Sequence, residues 1–391
     1  MNCIQLGVIG IGNMGTEHCK NLLAGKVPDI KLVAVADRRS ARRDWAKANM
    51  PADTLIVEEG KELIHSGVCD AVLIAVPHYQ HVELTCEALA AGLHVMCEKP
   101  AGVYTKEVRR MNEAANHSQR TFALMFNQRT NCVYRKVKEL LDSGAMGELK
   151  RVNWIITDWY RSQLYYDSGA WRATWNGEGG GVLLNQCPHQ LDLLQWLCGM
   201  PVRVQAHCHQ GKWHDIEVED DVTAYLEYAN GATGVFVTTT GDLPGTNRLE
   251  VTTTRGKLVC ENDKLTRWLL PVDEREYCKT STDCFAKPPC TVEEVQTDGL
   301  NEQHVGVLKA FAGHILRGEP LVANGVEGIR GLTLSNAMHL SAWTEKTVEL
   351  PIDEELFLRL LNERRATSRA KQGLDLTFST DHSYGGATTK E

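Results

Sequence analysis

The chain predicts an α/β protein of two parts, an N-terminal doubly wound parallel sheet followed by an α+β domain with a large, mostly antiparallel sheet. Three observations predict it. Over the first ~125 residues, strand-sized apolar runs alternate with amphipathic stretches, the pattern of a parallel sheet covered by helices on both faces. A glycine-rich turn, Gly10-Ile11-Gly12-Asn13-Met14-Gly15, follows the first of those runs directly and opens the first helical stretch. Beyond Val152 the segments become strand-like and are joined by turn dipeptides such as Asn230-Gly231 and Arg255-Gly256.

Taken in order, Ile4–Ile9 reads as a buried strand and residues 15–23 as the helix it feeds. Residues 31–36 and 40–47 repeat the pair, and 71–76, 81–91 and His94–Cys97 continue the alternation as strand, helix and strand. Together they make a Rossmann domain over residues 1–125. A helical stretch at 134–143 precedes the change of style. The second domain, 126–365, is expected to hold the antiparallel sheet and helices near 190–197, 302–317, 328–343 and 353–365. The remainder, 366–391, is polar and rich in Ser, Thr and Gly, which predicts an arm or loose end.

Composition narrows the function classes. The chain has 391 residues, 43% hydrophobic and 24% charged, which excludes collagenous, disordered and coiled-coil proteins. Lys plus Arg number 42 against 50 Asp plus Glu, and a net charge of −8 argues against nucleic-acid and anionic-membrane partners. The 13 cysteines are odd in number and irregularly spaced, and Cys86, Cys97, Cys187 and Cys198 sit in apolar runs. They read as reduced thiols of a cytoplasmic protein. No secretory leader is expected before the first strand, and the apolar runs fall short of the ~20 residues of a membrane-spanning helix.

The glycine turn has the context of a dinucleotide site. Gly10 permits the tight turn, Gly12 lets backbone approach a pyrophosphate at a helix N-terminus, and Gly15 lets that helix pack on the sheet; Ile11, Asn13 and Met14 complete the expected contacts. Asp37 closes the second strand, where a carboxylate binds the adenosine ribose hydroxyls, so NAD is the expected cofactor. Arg38 and Arg39 follow at once and would hold the 2′-phosphate of NADP if Asp37 turned away. At the same sheet edge lie Pro77, His78 and His81, then Glu98-Lys99-Pro100. His81 is as readily a capping or packing residue, and a solvated surface lysine is the ordinary alternative for Lys99.

From residue 88 to Pro100 the chain resembles the Gfo/Idh/MocA family of nicotinamide-dependent oxidoreductases, whose first domain carries a glycine fingerprint, a Thr-Pro-Asn-x-x-His-like loop and a Glu-Lys-Pro motif in this order. Here the loop reads Val76-Pro77-His78-Tyr79-Gln80-His81, with His78 where the family usually has Asn, and Glu98-Lys99-Pro100 matches in full. The resemblance implies cofactor contacts at Pro77, His78, His81 and Glu98, and a catalytic lysine at Lys99. A longer match runs from Gly179-Gly180-Gly181 through Asn185 and His189 to Asp192. In the family a similar glycine run leads into an Asp-x-x-x-His pair whose histidine is the catalytic base. Asn185 replaces that aspartate and cannot take a proton, so His189 would carry proton transfer alone or with Lys99, leaving Asn185 a hydrogen bond to substrate or nicotinamide. Asp192, one helical turn on, would orient His189 or the substrate. The likeness covers most of residues 1–350, including Asn127-Gln128-Arg129 at the domain junction, and Arg129 counts as a substrate contact.

Trp154, Trp159, Tyr160, Tyr165, Tyr166, Trp171 and Trp175 crowd the segment before the glycine run. Aromatic rings cover the C–H faces of sugars while neighbours such as Arg172 bond their hydroxyls; core or interface packing is the bland alternative. Trp159, Tyr160, Trp171 and Arg172 are therefore expected substrate contacts. No metal is expected, since His207, Cys208, His209 and His214 have no second ligand cluster and hydride transfer needs none. The reading is an NAD-dependent oxidoreductase acting on a hydroxyl, C3 preferred, of a pyranose sugar, glycoside, cyclitol or nucleotide sugar. The alternative is a redox-neutral NAD-dependent glycosidase working by transient C3 oxidation and elimination. Because family members commonly pair sheet to sheet, a homodimer or homotetramer is expected.

Overall fold

The computed structural model describes residues 3–374. Six strands, β1 (Ile4–Ile9), β2 (Ile30–Ala36), β3 (Leu55–Val57), β4 (Ala71–Ile74), β5 (His94–Cys97) and β6 (Phe122–Leu124), form one parallel sheet in the order β3-β2-β1-β4-β5-β6. Strand order reverses between β1 and β4, which opens a crevice at the carboxyl ends of those strands. Their Val, Ile, Leu and Ala side chains are almost wholly buried, as in sheets covered on both faces. The helix Thr105–His117 goes beyond the elements read from sequence. Its buried residues, Thr105, Val108 and Met111, recur at helical spacing, with most of the rest of its surface polar.

Nine further strands form the second sheet: β7 (Leu149–Ile156), β8 (Arg203–Gln210), β9 (Glu219–Glu227), β10 (Thr233–Thr239), β11 (Asn247–Thr253), β12 (Gly256–Glu261), β13 (Lys264–Leu269), β14 (Thr291–Glu294) and β15 (Val348–Glu349). The order is β14-β13-β12-β11-β7-β10-β9-β8-β15, antiparallel except where β10 lies parallel to β7. Asn230-Gly231 and Arg255-Gly256 both make turns between antiparallel neighbours, with Gly231 at φ +84°. Trp154 and Phe236, paired across β7 and β10, are fully buried; the helix Gly328–Thr344 packs on β8 of the same sheet and against the helix Pro188–Cys198. The face opposite Trp154 leaves Ile155, Tyr225 and Val235 exposed.

Two segments depart from expectation. The helix Gln303–Arg317 packs Val307, Leu308, Phe311 and Ala312 into the same core as Ile4, Leu6 and Val8, so the chain returns to the first sheet, an excursion that a boundary at residue 125 leaves out. The helix Glu354–Ala366 is capped by Asp353 and stacks Phe357 on Trp343 at 5.2 Å. Beyond it, residues 368–374 are not a loose arm. Arg369 N donates to Glu217 at 2.8 Å, Lys371 Nζ to Tyr166 O at 2.6 Å, and Leu374 N to Asp167 O at 2.9 Å. Residues 375–391 of the expected tail lie outside the described residues.

All thirteen cysteines are free thiols. No described helix is long and apolar enough to cross a membrane.

Candidate functional site

The crevice begins at the glycine turn. Gly10 has φ +87°, and a Cβ on Gly15 would come within 1.9 Å of Gly10 O, so the helix Asn13–Leu23 can approach the turn only because position 15 has no side chain. A Cβ on Gly12 would meet nothing closer than Arg39 Nη2 at 3.6 Å, which leaves the helix N-terminus open. That terminus has no side-chain cap and no acidic residue in its first turn, the arrangement a diphosphate requires. Asp37 accepts from Ile11 N at 3.0 Å through one oxygen and from Arg39 N at 2.9 Å through the other. A cavity of about 820 Å³ is lined by Gly10, Gly12, Asn13, Met14, Asp37 and Arg38, and also by Pro77, His78, Glu98, Lys99, Asn185 and His189. The residues present thus fit a dinucleotide, and Lys99 and His189 line the same cavity.

Lys99 follows β5 and its Nζ donates to Asn185 O at 2.8 Å, joining the parallel-sheet edge to the glycine-run segment. Burial lowers the Lys99 pKa below its usual 10.5; Glu98 and Glu178 oppose that shift, whereas Arg172 and Arg161 add to it. His189 is the second residue of the helix Pro188–Cys198 and is 2% exposed, yet neither ring nitrogen has a hydrogen-bond partner among the described residues. Burial, with Lys99 and His304 acting in the same direction, holds its pKa well below 6.5. The cavity therefore contains a neutral imidazole with an open acceptor. Glu98 accepts from the His18 ring at 2.7 Å and from Lys99 N at 3.2 Å; burial would raise its carboxyl, but His18, His304 and Lys99 bring it down to about 2.

Aromatic residues form part of the wall. Trp171 meets His78 edge-on at 5.6 Å, and Arg172 lies 4.5 Å over the Tyr165 ring while donating to its hydroxyl at 2.8 Å. Trp159, Tyr165, Trp171 and Arg172 line the cavity.

Five expected contacts need correction, Asp192 among them, since it neither lines the cavity nor bonds a ring nitrogen of His189. His81 has its ring nitrogens 2.7 Å from Pro100 O and 2.8 Å from Val76 O and is 1% exposed; the ring is wedged between two backbone carbonyls and lies outside the cavity lining, so it braces the loop. Ile11 is fully buried and its N–H is held by Asp37. Arg129 is no substrate contact: it forks onto Asp192 with two 2.7 Å bonds and reaches Glu327 at 2.9 Å, and neither Arg129 nor Asp192 lines the cavity. Tyr160 is 44% exposed and stands outside the cavity lining. Gly15 acts by packing, as its role in the turn requires. Three residues were not foreseen: Glu178, His18 and His304. Glu178 had a signal, a carboxylate immediately before Gly179–Gly181; His304 had none, since it arrives on the returning helix.

With this geometry in hand, the comparisons are specific. An NAD-binding Rossmann-fold model of an oxidoreductase family matches residues 4–126, and a GFO/IDH/MocA C-terminal domain model matches 134–259. The chain is 26% identical over 355 residues to a myo-inositol 2-dehydrogenase of Thermotoga maritima, covering 89% of this chain and 98% of that one. It is 26% identical over 245 residues to a D-glucoside 3-dehydrogenase of Escherichia coli, covering 58% and 68%. Its fold is similar to a WlbA dehydrogenase from Chromobacterium violaceum solved with NADH and UDP-GlcNAcA, with a TM-score of 0.77, 25% identity and coverage of 90% and 97%.

Proposed function

Because the chain belongs to the GFO/IDH/MocA oxidoreductase family, whose first domain binds NAD, we propose that it oxidises a ring hydroxyl of a pyranose sugar, glycoside, cyclitol or nucleotide sugar, C3 in a pyranose. The observation that carries this reading is His189, a buried imidazole with two unpartnered nitrogens in the same cavity as Lys99 and the glycine turn. The hydroxyl O–H proton passes to a ring nitrogen of His189, and Lys99 donates to the same oxygen, holding it as negative charge develops. Bound NAD supplies the hydride acceptor for the adjacent C–H, so that a ketone and NADH leave. Trp171 and Trp159 offer apolar surface to a ring face, and Arg172 offers donors to the remaining hydroxyls. The relatives that act on inositol and on glucosides support the substrate class.

The test is turnover by purified protein with NAD and a panel of myo-inositol, scyllo-inositol, levoglucosan and nitrophenyl β-D-glucoside, with NADH and nitrophenol followed separately. NADH formation on one or more members is expected. Nitrophenol released without NADH would transfer the reading to redox-neutral glycosidase chemistry, and silence across the panel would remove both.

Cofactor choice follows from Asp37, which has a wall position at the end of β2. A carboxylate gains charge-assisted hydrogen bonds to ribose hydroxyls and repels a 2′-phosphate. NAD should bind more tightly than NADP, and Asp37→Ser should narrow the ratio by roughly tenfold or more, as loss of a bond to a charged group implies. Because Asp37 also holds Ile11 N, the substitution should weaken both cofactors to some degree. An unchanged ratio of dissociation constants would show that the residue does not read the ribose.

The apolar face with Ile155, Tyr225 and Val235 supports a homo-oligomer paired through the second sheet. Light scattering at micromolar concentration is expected to give at least a dimer, and Val235→Lys to lower the mass; a monomer in the wild type would overturn the pairing.

A further inference from the structure

Behind the cleft wall, Glu178 is the second carboxylate, after Glu98, whose charge acts on Lys99. It is 2% exposed and stands behind Asn185: one oxygen accepts from Asn185 Nδ2 and the other from Ala173 N at 2.6 Å. Its own backbone carbonyl accepts from the His78 ring at 3.1 Å, so the same residue ties the first-sheet loop to the glycine run. Burial pushes the Glu178 carboxyl up, opposed by Arg172 and by the N–H groups of Ala173 and Asn185, and with a donor on each oxygen the group acts as a carboxylate, which has no proton to donate. Facing one, the Asn185 amide must turn its NH₂ inward, and Oδ1 becomes the polar atom left for the cavity that Asn185 lines. Asn185 O in turn receives the Lys99 ammonium at 2.8 Å, and the Glu178 charge acts on Lys99 in the same direction as Glu98.

We propose that Glu178 is a positioning residue for the proton-handling centre: it fixes the Asn185 amide with its oxygen toward the substrate hydroxyl and supplies negative charge behind Lys99. This rests on the hydride-transfer reading of the same cleft. The carboxylate is needed as an acceptor on both of its oxygens. In Glu178→Gln one side becomes NH₂, so either Ala173 N loses its acceptor or Asn185 flips and presents a donor where an acceptor stood. In Asn185→Asp two carboxylates meet. In the exchanged pair, Glu178→Gln with Asn185→Asp, every partner is restored. The oxygen of the new amide serves Ala173 N and its NH₂ serves the new carboxylate, whose second oxygen faces the cavity with the negative charge retained near Lys99.

The experiment compares the four proteins with NAD and whichever of myo-inositol, levoglucosan or nitrophenyl β-D-glucoside gives the highest wild-type rate. Each single variant should lose roughly 100-fold in kcat, the scale of a misplaced reacting group, with the KM for NAD within about twofold. The exchanged pair should recover most of that loss. Wild-type kcat in Glu178→Gln, or an exchanged pair no better than the singles, would reduce Glu178 to a brace of its turn and overturn the proposal. Competitive labelling of Lys99 with acetic anhydride on protein without substrate gives a second readout. Glu178→Gln should lower the Lys99 pKa and the exchanged pair should return it; no movement overturns the charge role. If the wild type is idle on every compound the oxidoreductase reading fails, while the labelling still decides this one.

Discussion

His189→Ala should lower kcat by about 10²–10⁴-fold, the range for removal of a general acid–base group, while the dissociation constant for NAD stays near the wild-type value. In the proposed site the pyrophosphate lies on Gly10, Gly12 and the N-terminus of the helix Asn13–Leu23, whereas His189 is carried by the helix Pro188–Cys198. Equal loss in kcat and kcat/KM would mark an interaction made in the transition state. Lys99→Ala should behave likewise, with a rise in KM for the sugar as well, since in the proposed mechanism Lys99 holds the hydroxyl oxygen. The sign of the pH dependence also follows. A base must be neutral, and burial lowers the His189 pKa, so the acid limb of kcat/KM in the oxidation direction should lie below pH 6.5. An acid limb above that value would point to another base, and wild-type turnover in both variants would dismantle the site.

The second large effect is on stability. Arg129→Met should destabilise the protein by about 3–5 kcal/mol, because it leaves Asp192 buried with one neutral partner, Gln195 at 3.0 Å. Asp192 is 1% exposed, and burial already pushes its carboxyl up despite the two bonds from Arg129. A chemical-denaturation midpoint shifted far below wild type, with the KM for substrate unchanged in the folded protein, is the expected pair of results. A large rise in KM with unaltered stability would restore Arg129 to the substrate side. Replacing both partners, Arg129→Met with Asp192→Leu, should recover part of the loss, since a matched apolar pair leaves no buried charge.

What the sequence made legible depended on the range of each interaction. The glycine turn, Asp37 and Lys99 are local features, each fixed by a strand end and its following residues, and they lie together at the edge where β1, β2 and β5 end. Pairings across distant segments were not legible. The contacts of Arg129 with Asp192 and Glu327 join three elements, and nothing in residues 127–129 distinguishes a guanidinium aimed at a sugar from one aimed at a buried carboxylate. His81 looked like a ligand because it stands at a strand's carboxyl edge, yet its ring stitches two backbone segments. Tyr160 shares its composition and neighbourhood with Trp159, and only the backbone direction separates the wall residue from the exposed one. Glu178 was adjacent to a recognised motif, but its value comes from Asn185, seven residues away across the glycine run.

The segment 368–374 contributes Gly373 to the cleft wall, with a backbone approach to Ala170 so tight that a Cβ there would meet Ala170 N at 2.2 Å. A protease that nicks the chain just after the helix Glu354–Ala366 would therefore remove part of the cleft while sparing both sheets. Such a preparation would keep its circular dichroism spectrum and nearly all of its mass, yet handle sugars differently from the intact chain. Intact mass, rather than spectroscopy, is the quality control that matters for every assay above. For the same reason an affinity tag belongs at the amino end, where β1 starts at the sheet edge opposite the cleft.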